Sequence, residues 1–459
     1  MPKYNVPNAG AQPIAQKTET PQPPMLPTEK MDSRKQRSLK AATFGQKHVS
    51  TQHHENICTC QSYAKLAATE DMLRSRIVDT ETCSWRFCAN CAYTRARKVA
   101  FGLSCVAEWM AVEHDACFVF VTLTQPNFTA SELADGITKI KYAVKMLKKT
   151  KKVKEMNLGA VTKIEVTYNK ERYITKKMWD RKNADGTTYG DYFRRQGLTI
   201  GDKNPNFDTY HAHVHILFAV KASYFKSRQY IHVRNGETSW LGLWRHHMGD
   251  DRIMNVHAVG IDDEYMKRHG LSSKRFFEIT KYAAKDEDYT QSQKVFDTMY
   301  NALKGRQILT RSGLFAKGNK LYDNYLIKLK KGNIDLKSHE MYDYVDFDSV
   351  NYKYLVRLRW FKKKYEQTGL RELSPEECEY YGGMPEEMSG AGWGDVSELD
   401  LAAGDLFDIN RPLECETPKM PNDGMGPDWV AAADKAEIIN DALLTGWNVV
   451  PQMEQMTIA

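Results

Sequence analysis

The chain has 459 residues, with 65 Lys and Arg against 58 Asp and Glu, and nine cysteines. That length leaves room for two or three domains with a sizeable core. No apolar run of about 18 residues occurs, and the polar, Pro-rich start lacks the apolar segment of a secretion signal, so a cytoplasmic protein with no membrane partner is expected. An odd cysteine number, with five between Cys58 and Cys91, speaks against the paired framework of a small secreted fold and for metal binding.

The net charge of +7 conceals an asymmetry. From Glu372 onward there are 19 acidic and 3 basic residues, a net −16, whereas the chain before it carries 62 basic and 39 acidic residues, a net +23. A cationic body suits a phosphate-backbone partner, and an acidic tail suits self-competition or recruitment of another protein. Ordinary solubility charge is the plainer alternative.

Residues 1–50, rich in Pro, Gln, Lys and Thr without apolar periodicity, read as a disordered N-terminal segment. Residues 51–115 form a Cys-rich region. Cys83-Ser-Trp-Arg-Phe-Cys88-Ala-Asn-Cys91 supplies three sulfur donors, and Cys58-Thr-Cys60 upstream offers a fourth. Four N or S ligands are what structural zinc takes, and the alternative is a set of free buried thiols. Cys105 and Cys117 sit in apolar runs and read as core.

A catalytic domain is expected over 116–330. The β-branched and aromatic run 117–124 reads as a buried strand ended by Gln125-Pro126. Thr129 and Glu132 then have capping-box spacing before a helix carrying Leu133, Ile137, Ile140, Val144 and Leu147. Residues 160–168 read as the next strand, with Glu165 between Ile164 and Val166. Residues 211–220 read as another, after a polar insert.

In that last strand His211, His213 and His215 alternate with Ala212, Val214 and Ile216. Successive side chains in a strand face opposite ways, so the imidazoles share one row. Such a row is either a wet edge or a metal site, and the apolar continuation through Val220 favours a buried strand and a metal.

Residues 272–289 read as a helix, with Phe276, Ile279 and Ala283 on its packing face. Glu278, Tyr282, Lys285 and Tyr289 fall at i, i+4, i+7 and i+11, one stripe of that helix. A phenol has a pKa near 10, so a nucleophilic Tyr282 needs a cation such as Lys285 or a histidine-bound metal beside it. A solvated amphipathic face is the alternative reading. Residues 331–370 are expected as a basic helical extension, with a helix across 351–367 that carries Lys362, Lys363 and Lys364. Residues 371–459 read as an acidic, largely disordered tail. Strands alternating with helices point to an α+β fold: a central antiparallel sheet with helices against one face, plus a small Cys-rich module.

Three motifs stand in order: Val121-Thr-Leu-Thr124, His213-Val-His215 and Tyr282-Ala-Ala-Lys285. With Lys163-Ile-Glu-Val-Thr-Tyr-Asn169, Ala302-Leu-Lys-Gly-Arg306 and Ser312-Gly-Leu-Phe315, they resemble the rolling-circle replication initiators of small bacterial plasmids, in the HUH endonuclease superfamily. The resemblance runs from about Cys58 to Phe315. It implies that His213 and His215 are metal ligands, for Mg²⁺ or Mn²⁺; Glu165, from its place in the strand, is the candidate third ligand, and His211, which shares the row, is a ligand or a neighbour of the site. It implies Tyr282 as the nucleophile that cuts one strand of plasmid origin DNA, leaving a 5′-phosphotyrosine and a 3′-OH primer. Glu278 would activate water at termination. The family also shows a cysteine run with an internal arginine, matched here by Arg86, with Ala89 in place of its proline and Arg95, Arg97 and Lys98 following.

DNA contacts are expected from the lysine-rich 148–154, from Arg194 and Arg195, and from Lys362, Lys363 and Lys364, beside Tyr192, Phe193 and Tyr224. A host helicase and DNA polymerase are the expected protein partners. Two rivals are a relaxase or transposase of the same chemistry and a non-catalytic, zinc-containing DNA-binding regulator. A relaxase usually has its tyrosine before the histidines. The regulator leaves the histidine row, Glu278 and Tyr282 without a role.

Overall fold

A computed structural model of the chain describes residues 24–181, 188–234, 236–261, 279, 286–330, 340–341 and 350–382. The order of elements is α1 (Glu29–Gly45), α2 (Thr51–Thr59), β1 (Tyr63–Thr69), β2 (Ser75–Thr80), α3 (Ala89–His114), β3 (Ala116–Leu123), α4 (Leu133–Lys149), α5 (Lys151–Met156) and β4 (Gly159–Asn169). Then follow α6 (Lys176–Trp179), α7 (Tyr189–Arg195), β5 (Thr209–Lys221), α8 (Trp240–Met248), β6 (Val256–Ile261), α9 (Asp286–Tyr289) and α10 (Gln293–Leu303). The last are β7 (Leu309–Gly313), α11 (Leu314–Lys330), β8 (Tyr352–Phe361), β9 (Lys364–Glu372) and α12 (Pro375–Gly382).

The strands read from alternation and β-branched content assemble into one antiparallel sheet of order β6-β3-β5-β4-β7. Its helices cover both faces, where the sequence had suggested one. Val119, Val121, Ile164, Val214, Ile216 and Phe218 pack with residues of α4, α8 and α10. Phe118, Phe120, Val161, Leu217 and Ala219 pack on the opposite face with Val106 of α3 and Phe315 and Tyr322 of α11. Burial on both sides explains why the second half of β5 is an unbroken apolar run.

A second sheet, of order β2-β1-β8-β9, joins the Cys-rich region to the end of the described chain. This corrects the helix expected over 351–367. In β8, Tyr354, Val356, Leu358 and Trp360 contribute to the cluster under one face of this sheet, the alternation of a strand. Lys362 and Lys363 form its turn with φ of 45° and 69°. Two-residue hairpin turns with both φ positive usually carry Asn-Gly, so a Lys-Lys turn leaves no hairpin signal in the sequence. The N-terminal segment expected to be disordered is likewise ordered from residue 24, with α1 spanning Glu29–Gly45. Its buried face is Met31, Lys35, Ser38, Ala41, Ala42 and Gly45, too small and polar to register as an apolar stripe.

Trp244 of α8 is fully buried, and its indole N–H donates to the Thr124 carbonyl at 2.8 Å, tying α8 to the strand that ends in the Val121-Thr-Leu-Thr124 motif. Trp244→Ala is expected to cost about 3–5 kcal/mol in urea unfolding. A loss below about 1 kcal/mol would show that α8 is not part of the cooperative core.

Candidate metal centres

The β4–β5 register places Glu165 directly across from His213, with Lys163 across from His215 and Thr167 across from His211. Facing residues of an antiparallel pair project to the same side, so these side chains share the sheet face that carries Leu217 and Val161. A ligand atom from each of Glu165, His213 and His215 lies within 4.8 Å of the other two. One carboxylate oxygen, Oε2, stands 3.6 Å from His213 Nε2 and 3.5 Å from His215 Nε2.

Those separations are long for hydrogen bonds and close to the spacing of donors around an ion bound at about 2.1 Å. Glu165 is 1% exposed, and among the described residues neither of its oxygens has a hydrogen-bond partner. A buried carboxylate without partners costs several kcal/mol, so the donor set fits a divalent cation. Burial opposes ionisation of Glu165 most strongly, yet His213 and His215, helped by the charge of Lys163, hold its carboxyl well below the usual range.

Two side chains aim the ring nitrogens. Thr122 Oγ1 lies 3.0 Å from His215 Nδ1, which leaves Nε2 turned to the carboxylate. Asn127 Oδ1 lies 2.9 Å from His211 Nδ1, as acceptor of the ring N–H. His211 stacks on His213 at 5.3 Å but stands outside the three-donor group. Burial, then the charges of His213 and Arg181, pushes His211 down to about 3, so it is a neutral ring at physiological pH. Thr122 and Asn127 escaped the sequence reading, although Thr122 lies inside a motif already singled out. Glu278, Tyr282 and Lys285 lie outside the described residues. Ile279, beside Glu278 in sequence, is fully buried in the cluster under this same sheet face.

A second donor group joins Cys60, Cys83, Cys88 and Cys91, all buried, with their sulfurs within 4.8 Å of one another. Neighbouring sulfurs are 3.4 Å apart for Cys60–Cys91 and 3.6 Å apart for Cys83–Cys91 and Cys60–Cys88. A tetrahedron of Zn–S bonds of about 2.3 Å has edges of roughly 3.8 Å, so this group has the size of a closed structural site. The neighbouring Cys60, Cys83 and Cys91 sulfurs hold the Cys88 thiol well below the usual thiol range. Cys58 is not a member; its sulfur faces His54 from the end of α2. Lys35 of α1 lies beneath, fully buried, and donates to the Cys58 and Cys60 carbonyls at 2.8 and 2.6 Å and to Ser62 Oγ at 3.0 Å. Arg86 donates to the carbonyls of Leu303, the last residue of α10, and of Arg306 just after it, and ties this group to that helix end.

The expected DNA contacts divide. Lys148 turns inward to Thr162 Oγ1 at 2.5 Å, and burial lowers its ammonium to about 8. Phe193 and Tyr224, thought open to DNA, are 1% and 3% exposed. Phe193 stacks on Trp179, and Tyr224 accepts from the Ile231 N–H through its hydroxyl. Tyr192, Arg194 and Arg195 are exposed. Tyr289 is core, its hydroxyl donating to the Phe87 carbonyl at 3.1 Å. Cys105 and Cys117 are buried as expected, Cys378 packs beside the cluster over the second sheet, and Cys415 lies outside the described residues.

Residues 74–366 match a protein family described as replication protein. Proteins named "Protein rep" are similar: one from Staphylococcus aureus is 28% identical over 261 residues, covering 57% of this chain and 94% of its own. Another, from Bacillus amyloliquefaciens, is 25% identical over 283 residues, covering 58% and 72%. A third, from Streptococcus pneumoniae, is 25% identical over 264 residues, covering 57% and 69%. No solved structure matches the chain significantly. The family match takes in the five-stranded sheet, β2 and β8 of the second sheet, and Glu165, His213, His215, Cys83, Cys88 and Cys91, and begins after Cys60 and β1.

Two measurements check the donor groups. In native mass spectrometry, bound zinc is expected to persist in Cys58→Ser and to vanish in Cys88→Ser; the reverse order would exclude the four-sulfur set. In calorimetric titration with Mn²⁺, Thr122→Val is expected to weaken binding roughly 10–100-fold, the usual effect of losing a group that orients a ligand, and Glu165→Gln more than that.

Proposed function

The chain belongs to the replication-protein family of plasmid rolling-circle initiators, and from that premise we propose that it nicks one strand of plasmid origin DNA through Tyr282 in a reaction that needs Mn²⁺ or Mg²⁺. The observation that carries this reading is the convergence of Glu165, His213 and His215 on one point, with the Glu165 carboxylate buried and without a hydrogen-bond partner among the described residues. A half-imidazole, half-oxygen shell suits Mn²⁺ better than Mg²⁺. Bound there, the ion polarises the scissile phosphate and helps orient it for in-line attack.

The remaining chemistry belongs to the chain's own residues. The Tyr282 oxygen forms a bond to phosphorus as its phenolic proton leaves. The bond from phosphorus to O3′ breaks, and O3′ takes up a proton. The products are a 5′-phosphotyrosine and a 3′-OH that primes synthesis. Lys285, three residues on, offsets the negative charge of the phenolate, whose ordinary pKa near 10 would otherwise leave it protonated. Glu278 takes a proton from water in the terminating cleavage, so hydrolysis or strand transfer ends the cycle without a second covalent link. His211 holds the neighbouring ring of His213 by stacking. The four-cysteine group would hold structural Zn²⁺. Origin DNA, as a single strand or an extruded hairpin, is the substrate, and host helicase and polymerase act on the primed strand.

Incubation with labelled single-stranded origin DNA and Mn²⁺ is expected to give a covalent adduct that disappears in Tyr282→Phe. Equal adduct in that variant removes Tyr282 from the mechanism. Glu278→Ala is expected to nick normally yet remain attached at termination, and normal release would take the water-activating role from Glu278.

A further inference from the structure

We propose that the open face of the second sheet, together with the tip of the β8–β9 hairpin, is a separate DNA-binding surface that grips the phosphate backbone of duplex DNA. It rests on the nickase reading only for the identity of the nucleic acid. Register places Tyr63, Lys65, Arg357 and Arg359 on one side of this sheet, with Phe361 and Lys364 facing each other at the tip of the same side. The alternate residues Ala64, Leu66, Val356, Leu358 and Tyr365 point the other way, into a core shared with Met31 of α1. At the far end of the open side, Tyr381 of α12 packs against the cluster of Ala67 and Leu355. What stays uncovered is the basic end.

Its positive charge is only partly balanced locally. Arg357, Arg359, Lys362, Lys363 and Lys364 are all exposed. Two carboxylates share this face, Asp79 paired with Lys65 at 2.8 Å and Glu366, across from Arg359, at 4.0 Å from Lys364, and the basic groups outnumber them. Among the described residues Arg357, Arg359, Lys362 and Lys363 make no ion pair. Opposite Arg357 stands Gly369, which leaves the guanidinium stem room on the face. A patch with this positive excess is what a polyanion meets, and each phosphate neutralised releases bound counterions.

The shape selects duplex over single strand. Beyond its pairing with β1, which ends at Arg359, the β8–β9 tip is a two-stranded ribbon about 5 Å between strand axes, narrow enough for a major groove about 12 Å wide. Its tip is held firmly: Gln36 of α1 donates to the Lys363 carbonyl at 3.0 Å, and Asp32 Oδ1 accepts from the Tyr365 N–H at 2.6 Å. Phe361, 51% exposed with Lys362 Nζ 5.0 Å from its ring, is the one strongly exposed aromatic of this surface among the described residues. Single-strand tracks stack successive bases on several rings, and this face does not offer them.

Fluorescence anisotropy against salt tests the proposal, with a labelled random-sequence duplex and a labelled oligo(dT) strand as probes and no divalent metal present. For Arg357→Ala/Arg359→Ala/Lys362→Ala/Lys363→Ala, duplex affinity is expected to fall at least about 10-fold and the slope of log K against log salt to become shallower by about 3–4. Arg357→Lys/Arg359→Lys should keep the wild-type slope. If the quadruple variant melts early, Lys362→Ala/Lys363→Ala alone should lower the slope by about 2. An unchanged duplex slope, or a larger loss on oligo(dT) than on duplex, overturns the proposal. Nicking of single-stranded origin DNA, measured in parallel, separates the two readings. A protein that cuts nothing but shows these slopes loses the nickase assignment and keeps this surface.

Discussion

The register of one strand pair governs the chemistry of this protein. Glu165 meets His213 because β4 and β5 run antiparallel with those two residues in register, and His215 follows one pleat along the same face. A slip of a single residue would turn the carboxylate to the other side of the sheet and scatter the three donors. Apolar burial on both faces opposes that slip: Val214 and Ile216 are locked into one core and Leu217 and Ala219 into the other. The donors therefore sit on strands packed on both faces, and Thr122 from the neighbouring strand sets the ring of His215.

The sulfur group acts on that frame from a distance. Cys88 is the cap residue of α3, whose 26 residues run from the sulfurs to the start of β3, and whose Val99, Leu103 and Val106 pack under the histidine-bearing face. Arg86 binds carbonyls at the end of α10 and just after it, and Tyr289 closes on the Phe87 carbonyl. The four cysteines thus gather at the point where a long helix begins. Lys35 adds α1 to the same knot through three hydrogen bonds to the end of α2 and the residues just after it.

Much of the large domain was legible because its strands carry period-two alternation or unbroken β-branched runs, signals that depend only on near neighbours. β3, β4, β5 and α4 fall where the pattern predicts, and Glu165 was identified from strand position alone. The small sheet was hidden for the opposite reason: β1 pairs with β8 nearly the whole described chain away, and the hairpin turn uses lysines where glycine or asparagine would announce it. Helix α1 was hidden because it buries small and polar residues. The choice between Cys58 and Cys60 depends on where α2 ends, and the lysines of 148–154 could not be sorted until Lys148 was seen facing Thr162.

The account stands on Glu165, His213 and His215 holding one divalent ion between them. Pulsed electron paramagnetic resonance of the Mn²⁺-loaded protein reads that directly, because each coordinated imidazole couples its nitrogen to the metal. The expected spectrum contains two such nitrogens, reduced to one in either His213→Ala or His215→Ala and still two in His211→Ala. A spectrum without imidazole nitrogen, or one in which only His211→Ala removes a coupling, would contradict it.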